Sequence, residues 1–146
     1  MNAEVLPYQW DNSEKLFNDY QYLKNIYENT LKALQKQLNE IHQVDHSLRY
    51  WRILVGPWLG YFIQMVFDRW SMLNCAFKNY EISGCRVLSK NESTFIPNNM
   101  DGFMNLLVDD NWNEVIYSQL LQEHLQNNFM IELVKQTLNK MQEKYM

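Results

Sequence analysis

The sequence has few of the residues that build tight loops, disulfides and metal sites. Of its 146 residues, 4 are glycine, 3 are proline and 2 are cysteine. Glycine-rich loops bring backbone amides close to a bound phosphate, so a complete nucleotide-binding domain would be expected to contain more glycine. Neither Cys75 nor Cys85 has a histidine or cysteine at metal-ligand spacing. The pair also falls short of a disulfide framework, so we expect a reducing, cytoplasmic location.

Charge and hydropathy argue against two further classes of protein. The formal net charge is -4, with 13 basic and 17 acidic residues and no long basic block, so we expect no nucleic-acid partner. The longest apolar run extends from Ile53 to Phe67 with Gln64 as its one polar residue. As a helix this run would reach about 23 Å, which is shorter than the ~30 Å hydrocarbon layer of a membrane. We therefore expect no transmembrane segment and a core element kinked at Gly56 and Pro57.

The sequence does contain strong helical periodicity. Hydrophobic residues recur at spacings of four and three near the N-terminus, at Leu16, Tyr20, Leu23, Tyr27, Leu31, Leu34, Leu38 and Ile41. This stripe, hereafter the Leu16–Ile41 stripe, predicts a long helix capped by Asp11 or Ser13. A stripe this narrow suits packing in the core of the same chain, and the alternative is pairing with a helix of a partner.

The remaining segments predict further helices. A break near residues 44–47, with Asp45 or Ser47 as the next cap, predicts a kinked helix from Leu48 towards Tyr80. Residues 80–97 are typical of a loop with one short strand, and helices are expected after Asn98 or Asn99, after Asp109 or Asp110, and from Met130 to the C-terminus. The expected fold class is therefore mainly α, with about five helices and at most a short strand. Residues 1–12 are expected to form an extended lead-in, and residues 13–146 a single helical domain or domain fragment.

Two arginines offer a candidate anion site. Arg49 and Arg52 are three residues apart, and their guanidinium groups could together clamp a phosphate or carboxylate. They could equally form core ion pairs, for example Arg52 with Asp68 if the helices fold back. His42 and His46 are four apart, but a metal site needs a third ligand and the HExxH pattern is absent. Asp45 between them could ligate a metal or merely cap a helix, and we expect no metal site. No cofactor or catalytic motif is evident.

Three segments of the sequence are distinctive enough to compare with known families, namely NAEVLPYQWDNSEKLFNDYQYL, LNEIHQVDHSLRYWRILVGPWLGYFIQMVFDRW and NYEISGCRVL. On these segments the chain, from about Ala3 to Leu121, resembles large transferases encoded in bacterial O-antigen and other surface-carbohydrate gene clusters. The resemblance implies an N-terminal fragment of a longer, cytoplasmic, glycosyltransferase-like α/β enzyme of surface polysaccharide or lipopolysaccharide biosynthesis. Such a fragment is not expected to be catalytically complete alone.

The resemblance also implies ligands and site residues. It implies a carbohydrate acceptor and, for the full-length protein, a nucleotide-sugar donor. His46 would be the catalytic acid or base, and Arg49, Arg52, Asp68 and Arg69 would line a cleft between domains, facing the acceptor or the hinge. The alternative, which rests on pattern alone, is a non-enzymatic helical interaction module. It would dock through the Leu16–Ile41 stripe onto the remainder of a longer transferase chain or onto a partner helix.

Overall fold

The structure is a computed structural model that describes residues 5–89, 96–124 and 130–135. The chain divides into two compact units, unit 1 with residues 1–79 and unit 2 with residues 80–146. The described elements are a 3₁₀ turn at Gln9–Asp11 and, in chain order, α1 (Ser13–His42), α2 (Leu48–Leu54), α3 (Gly56–Asn79), β1 (Gly84–Ser89), α4 (Met100–Leu107), α5 (Asp110–His124) and β2 (Met130–Lys135). The predicted class, mainly α with about five helices, is confirmed. The predicted single domain over residues 13–146 stays a prediction.

Helix α1 begins and ends where short-range hydrogen bonds fix it. Its N-cap is Asn12, whose side-chain oxygen accepts a hydrogen bond from the Lys15 backbone N–H at 2.9 Å. The predicted caps, Asp11 and Ser13, were each wrong by one residue, because asparagine, aspartate and serine cap equally well and the sequence does not rank them. At the other end Gln43 takes a left-handed conformation, with φ 54°, which stops the helix after His42.

The predicted break and kink are both confirmed. Ser47 caps α2, since its hydroxyl accepts a hydrogen bond from the Tyr50 backbone N–H at 3.3 Å. Helix α3 begins at Gly56, immediately after Val55, so Pro57 lies in its first turn. A proline there costs no hydrogen bond, because the first amides of a helix have no partner within the helix. None of the helices described combines the length and apolar character needed to span a bilayer.

In unit 1, α1 packs on α2, α3 and the 3₁₀ turn. The buried apolar side chains of this unit are Leu23, Leu31, Trp51, Leu59 and Met65. The Leu16–Ile41 stripe is only partly covered: Leu23 and Leu31 are buried, whereas Tyr20 is 58% and Ile41 71% exposed. Core packing therefore accounts for the middle of the stripe, and its ends face solvent in the part of the chain that the structure describes.

Unit 2 is built around two parallel strands joined by helices. Strand β1 pairs with β2 in register from Gly84 opposite Met130 to Ser89 opposite Lys135. Parallel strands need a long crossover connection, and here α4 and α5 lie within it. Helices α4 and α5 start at predicted caps. The Asn99 side chain accepts a hydrogen bond from the Gly102 backbone N–H, and the Asp109 side chain accepts one from the Trp112 backbone N–H, each at 2.8 Å. The core residues are Val87, Phe103, Trp112, Val115 and Leu121.

The predicted helix from Met130 to the C-terminus is wrong over Met130–Lys135, which form β2. The run fits helical spacing, but a run of six residues with two β-branched members also fits a strand. Pairing with β1 decides between helix and strand in favour of the strand. The described residues therefore contain two strands, where at most one was predicted. Residues 136–146 of that prediction lie outside the described residues.

Candidate functional site

Two adjoining cavities lie along α1 and α3 in unit 1. The first has a volume of about 240 Å³ and is lined by Trp10, Leu16, Tyr20, Leu23, Lys24, Tyr27, Gly60, Ile63 and Gln64. The second has a volume of about 340 Å³ and is lined by Tyr27, Arg52, Gly56, Pro57, Gly60, Tyr61 and Gln64. The two cavities share the lining residues Tyr27, Gly60 and Gln64, so they adjoin and are described together as one feature. We call it the α1–α3 groove, with the first cavity as its apolar end and the second as its polar end.

Trp10 forms a wall of the apolar end and is held from two sides. Its indole N–H donates a hydrogen bond to the Asp19 carboxylate at 2.9 Å. Its ring stacks on Phe67, with ring centroids 6.4 Å apart and an interplanar angle of 16°. Leu16, on the same wall, is 44% exposed. The apolar end thus presents a large aromatic surface in a fixed position, which suits contact with an apolar or ring-shaped ligand.

Arg52, which lines the polar end, forms an ion pair that joins α2 to α1. Both terminal nitrogens of Arg52 contact the Glu28 carboxylate, each at 2.7 Å, in the bidentate geometry that guanidinium groups favour. The guanidinium carbon also lies 5.7 Å from the centre of the Tyr27 ring. The two charged side chains remain 38% and 36% exposed, and of the two Arg52 lines the polar end of the groove.

Each partner holds the other in its charged form. Hydrogen bonding to Arg52 lowers the pKa of Glu28, and the charges of Arg52, Lys32 and Lys24 lower it further. Hydrogen bonding to Glu28 raises the pKa of Arg52. Both members of the pair are therefore charged at neutral pH.

Two glycines of α3 shape the floor of the groove. A Cβ atom at Gly56 would lie 2.6 Å from the Tyr27 hydroxyl oxygen, too close for an unshifted structure. A Cβ atom at Gly60 would lie 3.9 Å from Cε2 of Tyr27, which is ordinary van der Waals contact. Glycine at position 56 thus lets the tyrosine ring lie against α3, and glycine at position 60 leaves the junction of the two cavities unfilled.

The predicted pairing of Arg52 with Asp68 is wrong, because each has a nearer partner. Arg69 contacts the Asp68 carboxylate at 2.7 Å, and the Gln9 side-chain amide donates to the same carboxylate at 3.2 Å. The Ser71 hydroxyl donates in turn to the Gln9 side-chain oxygen. Asp68 and Arg69 thus hold the 3₁₀ turn on α3, and neither lines the groove.

The environment of Tyr8 agrees with a structural role for Asp68. Burial raises the pKa of Tyr8, and the charge of Asp68 and a hydrogen bond to it raise that pKa further. Tyr8 therefore keeps its proton at neutral pH and can donate to the carboxylate.

His46 and Arg49 also lie outside the groove lining. The His46 ring lies against the Tyr50 ring, with ring centroids 3.9 Å apart. The His46 backbone N–H donates a hydrogen bond to the Asn39 side-chain oxygen, and the His46 carbonyl accepts one from the Asn39 side-chain nitrogen. Arg49 is exposed, and within the described residues it forms no ion pair. Of the five predicted site residues, the structure brings only Arg52 into the groove, and the predicted roles of the others stay predictions.

Sequence reasoning missed Tyr27 and Gly60 as groove residues, and Glu28 as the partner of Arg52. A signal existed for Gln64, the one polar residue in the apolar run, and for the Gly56–Gly60 spacing, which places two bare positions on one face of α3. No signal marked Glu28 among the other charged residues of α1.

Within the described ranges no three histidine, cysteine, aspartate or glutamate side chains lie close enough to hold a metal ion. What the groove offers is an array of hydrogen-bond donors and acceptors beside aromatic rings. Such an array suits binding and positioning of a hydroxyl-rich ligand.

Comparison with known proteins identifies a family. The sequence model of a protein family described as LIC12162 family transferase matches residues 1–146. No curated protein and no solved structure matches this chain.

Proposed function

The chain belongs to the LIC12162 family of transferases, and from this we propose that it takes part in a glycosyltransferase-like reaction of bacterial surface polysaccharide or lipopolysaccharide biosynthesis. In this proposal the α1–α3 groove binds the carbohydrate acceptor. The nucleotide-sugar donor is bound by the remainder of a longer transferase, so this chain is not catalytically complete alone. The parallel β1–β2 ladder supports that view, because parallel strands joined by helices are typical of larger α/β proteins.

The observation that carries the proposal is the half-exposed Arg52–Glu28 pair at the edge of an aromatic groove. A sugar hydroxyl both donates and accepts hydrogen bonds, and this pair supplies an acceptor and a donor fixed side by side. Tyr61, which also lines the polar end, is 48% exposed and offers a ring face to the apolar side of a sugar. Because Arg52 and Glu28 neutralise each other, the pair favours a hydroxyl-rich group at this point over a bare anion.

The other predicted site residues enter the proposal only as expectations. A catalytic role for His46 would require the acceptor to extend from the groove along α2 to the turn before Leu48. Arg49 would then lie on the path, one helical turn from Arg52. Asp68 and Arg69 would act on binding only through the position of the 3₁₀ turn.

The test is a thermal-shift screen of this chain with surface-type oligosaccharides, sugar phosphates and nucleotide sugars, repeated with Arg52→Ala. A ligand that binds only the folded chain raises the melting temperature, and at 100 times its Kd it contributes about 2.7 kcal/mol. We expect an oligosaccharide shift that Arg52→Ala abolishes. Lys36→Ala is the matched control, because Lys36 is an exposed cation of α1 that lines neither cavity.

The proposal fails if no carbohydrate shifts the melting temperature, or if Arg52→Ala retains the full shift while folded. Nucleotide sugars that bind this chain tightly without any acceptor would contradict the assignment of the donor to the rest of the protein.

A second candidate, the helical interaction module, is favoured by one observation. The ends of the Leu16–Ile41 stripe are exposed, with Leu16 at 44% and Ile41 at 71%. Sedimentation measures whether the chain associates through this stripe. Association that weakens in Ile41→Glu, together with a negative carbohydrate screen, would favour this candidate.

A further inference from the structure

We propose that Gln64 determines the sugar specificity of the α1–α3 groove and that the carbohydrate bound there contains an N-acetylated amino sugar. The Gln64 side-chain nitrogen donates a hydrogen bond to the acetamido carbonyl, and the acetyl methyl lies in the apolar end. The inference rests on the proposed function and deepens it, because it names the class of sugar that the groove selects.

Gln64 lies where the two ends of the groove meet, because it lines both cavities. Gly56, Gly60 and Gln64 follow one another at intervals of four residues, so they share one face of α3. Side chains of a helix lean toward its N-terminus, so the Gln64 side chain leans toward Gly60, which also lines both cavities. The Gln64 amide is therefore directed at the junction of the two ends, where Gly60 leaves the space open.

The Gln64 amide is available to a ligand. Gln64 is exposed, and within the part of the chain that the structure describes its side chain makes no hydrogen bond to the protein. The other nitrogens of the apolar end are less well placed for a ligand at the junction. The Trp10 indole N–H is bonded to Asp19, and Lys24 lines the apolar end without reaching the polar end. Gln64 is therefore the donor that a ligand spanning both ends would meet.

The surroundings of this amide match the two parts of an acetamido group. The acetamido carbonyl accepts a hydrogen bond from a primary amide such as that of Gln64. On the apolar side of Gln64 the lining includes the aliphatic side chains of Leu23 and Ile63, against which a methyl group loses contact with water. A ring hydroxyl has no methyl to bury, and an ammonium group would place a charge beside these aliphatic side chains.

Reach also distinguishes the acetamido group from a hydroxyl. In the proposed function the sugar ring lies at the polar end, near Arg52 and Tyr61. The carbonyl of an acetamido group extends farther from the ring than a hydroxyl oxygen does, so it can contact Gln64 at the junction while the ring stays at the polar end. The hydrogen bond with Gln64 is thus made by the acetamido sugar and lost in its hydroxyl analogue.

The experiment is saturation-transfer NMR of the whole chain with three methyl glycosides that differ only at carbon 2, which carries an acetamido, an ammonium or a hydroxyl group. Each is used in the gluco and the galacto configuration, and titration of the same signals gives the Kd. We expect the acetamido glycoside of one configuration to bind about tenfold more tightly than both of its analogues, which is the discrimination that one small apolar group gives in a fitted pocket. Its acetyl methyl should receive the strongest saturation.

Two variants at position 64 separate specificity from stability. Because Gln64 is exposed, both should leave the fold intact. Gln64→Leu removes the donor, so it should weaken binding of the acetamido glycoside about fivefold and leave the hydroxyl glycoside unchanged. Gln64→Glu keeps the size of the side chain but replaces the donor with a negative charge, so it should reverse the order in favour of the ammonium glycoside. A merely structural role of Gln64 would not produce this reversal.

Two controls test the assignment of the donor. Gln37→Leu makes the same change at an exposed glutamine of α1 that lines neither cavity, and Lys24→Met removes the other nitrogen donor of the apolar end. Both should retain the preference for the acetamido glycoside. Equal binding of the three glycosides to the wild type would overturn the inference. A preference that survives both Gln64 variants, or that is lost in Lys24→Met alone, would also overturn it.

The outcomes also separate this inference from the proposed function. If carbohydrates bind with Arg52 dependence and the three glycosides bind equally well, the inference is wrong and the proposed function stands. If neither the glycosides nor the oligosaccharides of the thermal-shift screen bind, the proposed function is wrong and the specificity assigned to Gln64 is overturned with it.

Discussion

Replacing Asn39 with alanine should destabilise unit 1 through a single buried indole. The Asn39 side-chain oxygen accepts a hydrogen bond from the Trp51 indole N–H at 2.7 Å and from the His46 backbone N–H at 3.2 Å. Its side-chain nitrogen donates to the His46 carbonyl at 3.0 Å. This one amide therefore joins α1 to α2 across the turn between them.

The magnitude follows from which groups lose all their partners. Trp51 is only 6% exposed, so its N–H would be left without an acceptor, which costs about 1–3 kcal/mol. The His46 carbonyl keeps a donor, because the Gln35 side-chain nitrogen lies 3.1 Å away. Alanine also has a higher helix propensity than asparagine by about 0.5 kcal/mol, which offsets part of the loss. We expect a net destabilisation of about 2 kcal/mol, or roughly 4–8 °C in melting temperature.

Urea denaturation followed by circular dichroism measures the change. Asn25→Ala is the matched control, because Asn25 is exposed in the same helix and the substitution changes only helix propensity. The difference between the two variants isolates the hydrogen bonds of Asn39. Two variants within about 0.5 kcal/mol of each other would show that the indole finds another acceptor and would refute this reasoning.

Two further predictions concern the groove. Glu28→Gln should remove a stabilising ion pair at neutral pH. The pKa of Glu28 in the folded chain lies below its ordinary value of 4.5. The ion pair therefore stabilises the fold above pH 4.5, and this stabilisation disappears as the pH falls through the lowered pKa. Unfolding free energies of wild type and variant should therefore converge as the pH falls below 4.5 and through the lowered pKa of Glu28, and a difference that stays constant over this acid range would contradict the pairing. Gly56→Ala should lower the free energy of unfolding by about 1 kcal/mol, because the added Cβ would crowd the Tyr27 hydroxyl. Gly60→Ala should leave it unchanged or raise it by up to about 1 kcal/mol, because the added Cβ makes only ordinary contact and alanine favours the helix. Urea denaturation measures the stability of both variants, and adding Tyr27→Phe should restore the stability of Gly56→Ala. A Gly60→Ala variant less stable than Gly56→Ala would show that the described packing of α1 on α3 is wrong.

The parts of the fold that depend on local chemistry were predictable from the sequence. The break after α1, the cap at Ser47, the position of Pro57 in the first turn of α3 and the cap at Asn99 each depend on residues within one or two turns. Strand β2 was not predictable in this way. Its residues fit both a helix and a strand, and the deciding hydrogen bonds come from β1, far away in the sequence.

The same distinction explains what was predictable of the candidate site. The sequence pointed to Arg52 as a chemically important residue, because arginines three apart at the edge of an apolar run are unusual enough to notice. It did not point to Glu28, because α1 carries several exposed charges and only the packing of α2 on α1 selects one of them. Asp68 and Arg69 were noticed for the same reason as Arg52, and the structure places them at the 3₁₀ turn.

The pairing of β1 with β2 has a consequence for the order of folding. The two strands run parallel, so their ladder closes only after the chain between them, including α4 and α5, has turned back on itself. Closing such a long loop costs conformational entropy before any strand hydrogen bond repays it. In unit 1, by contrast, the turn between α1 and α2 and the junction between α2 and α3 are short, so their contacts form early. Unit 1 should therefore reach its native helical structure first, and the strands of unit 2 should set the rate of the slowest folding phase.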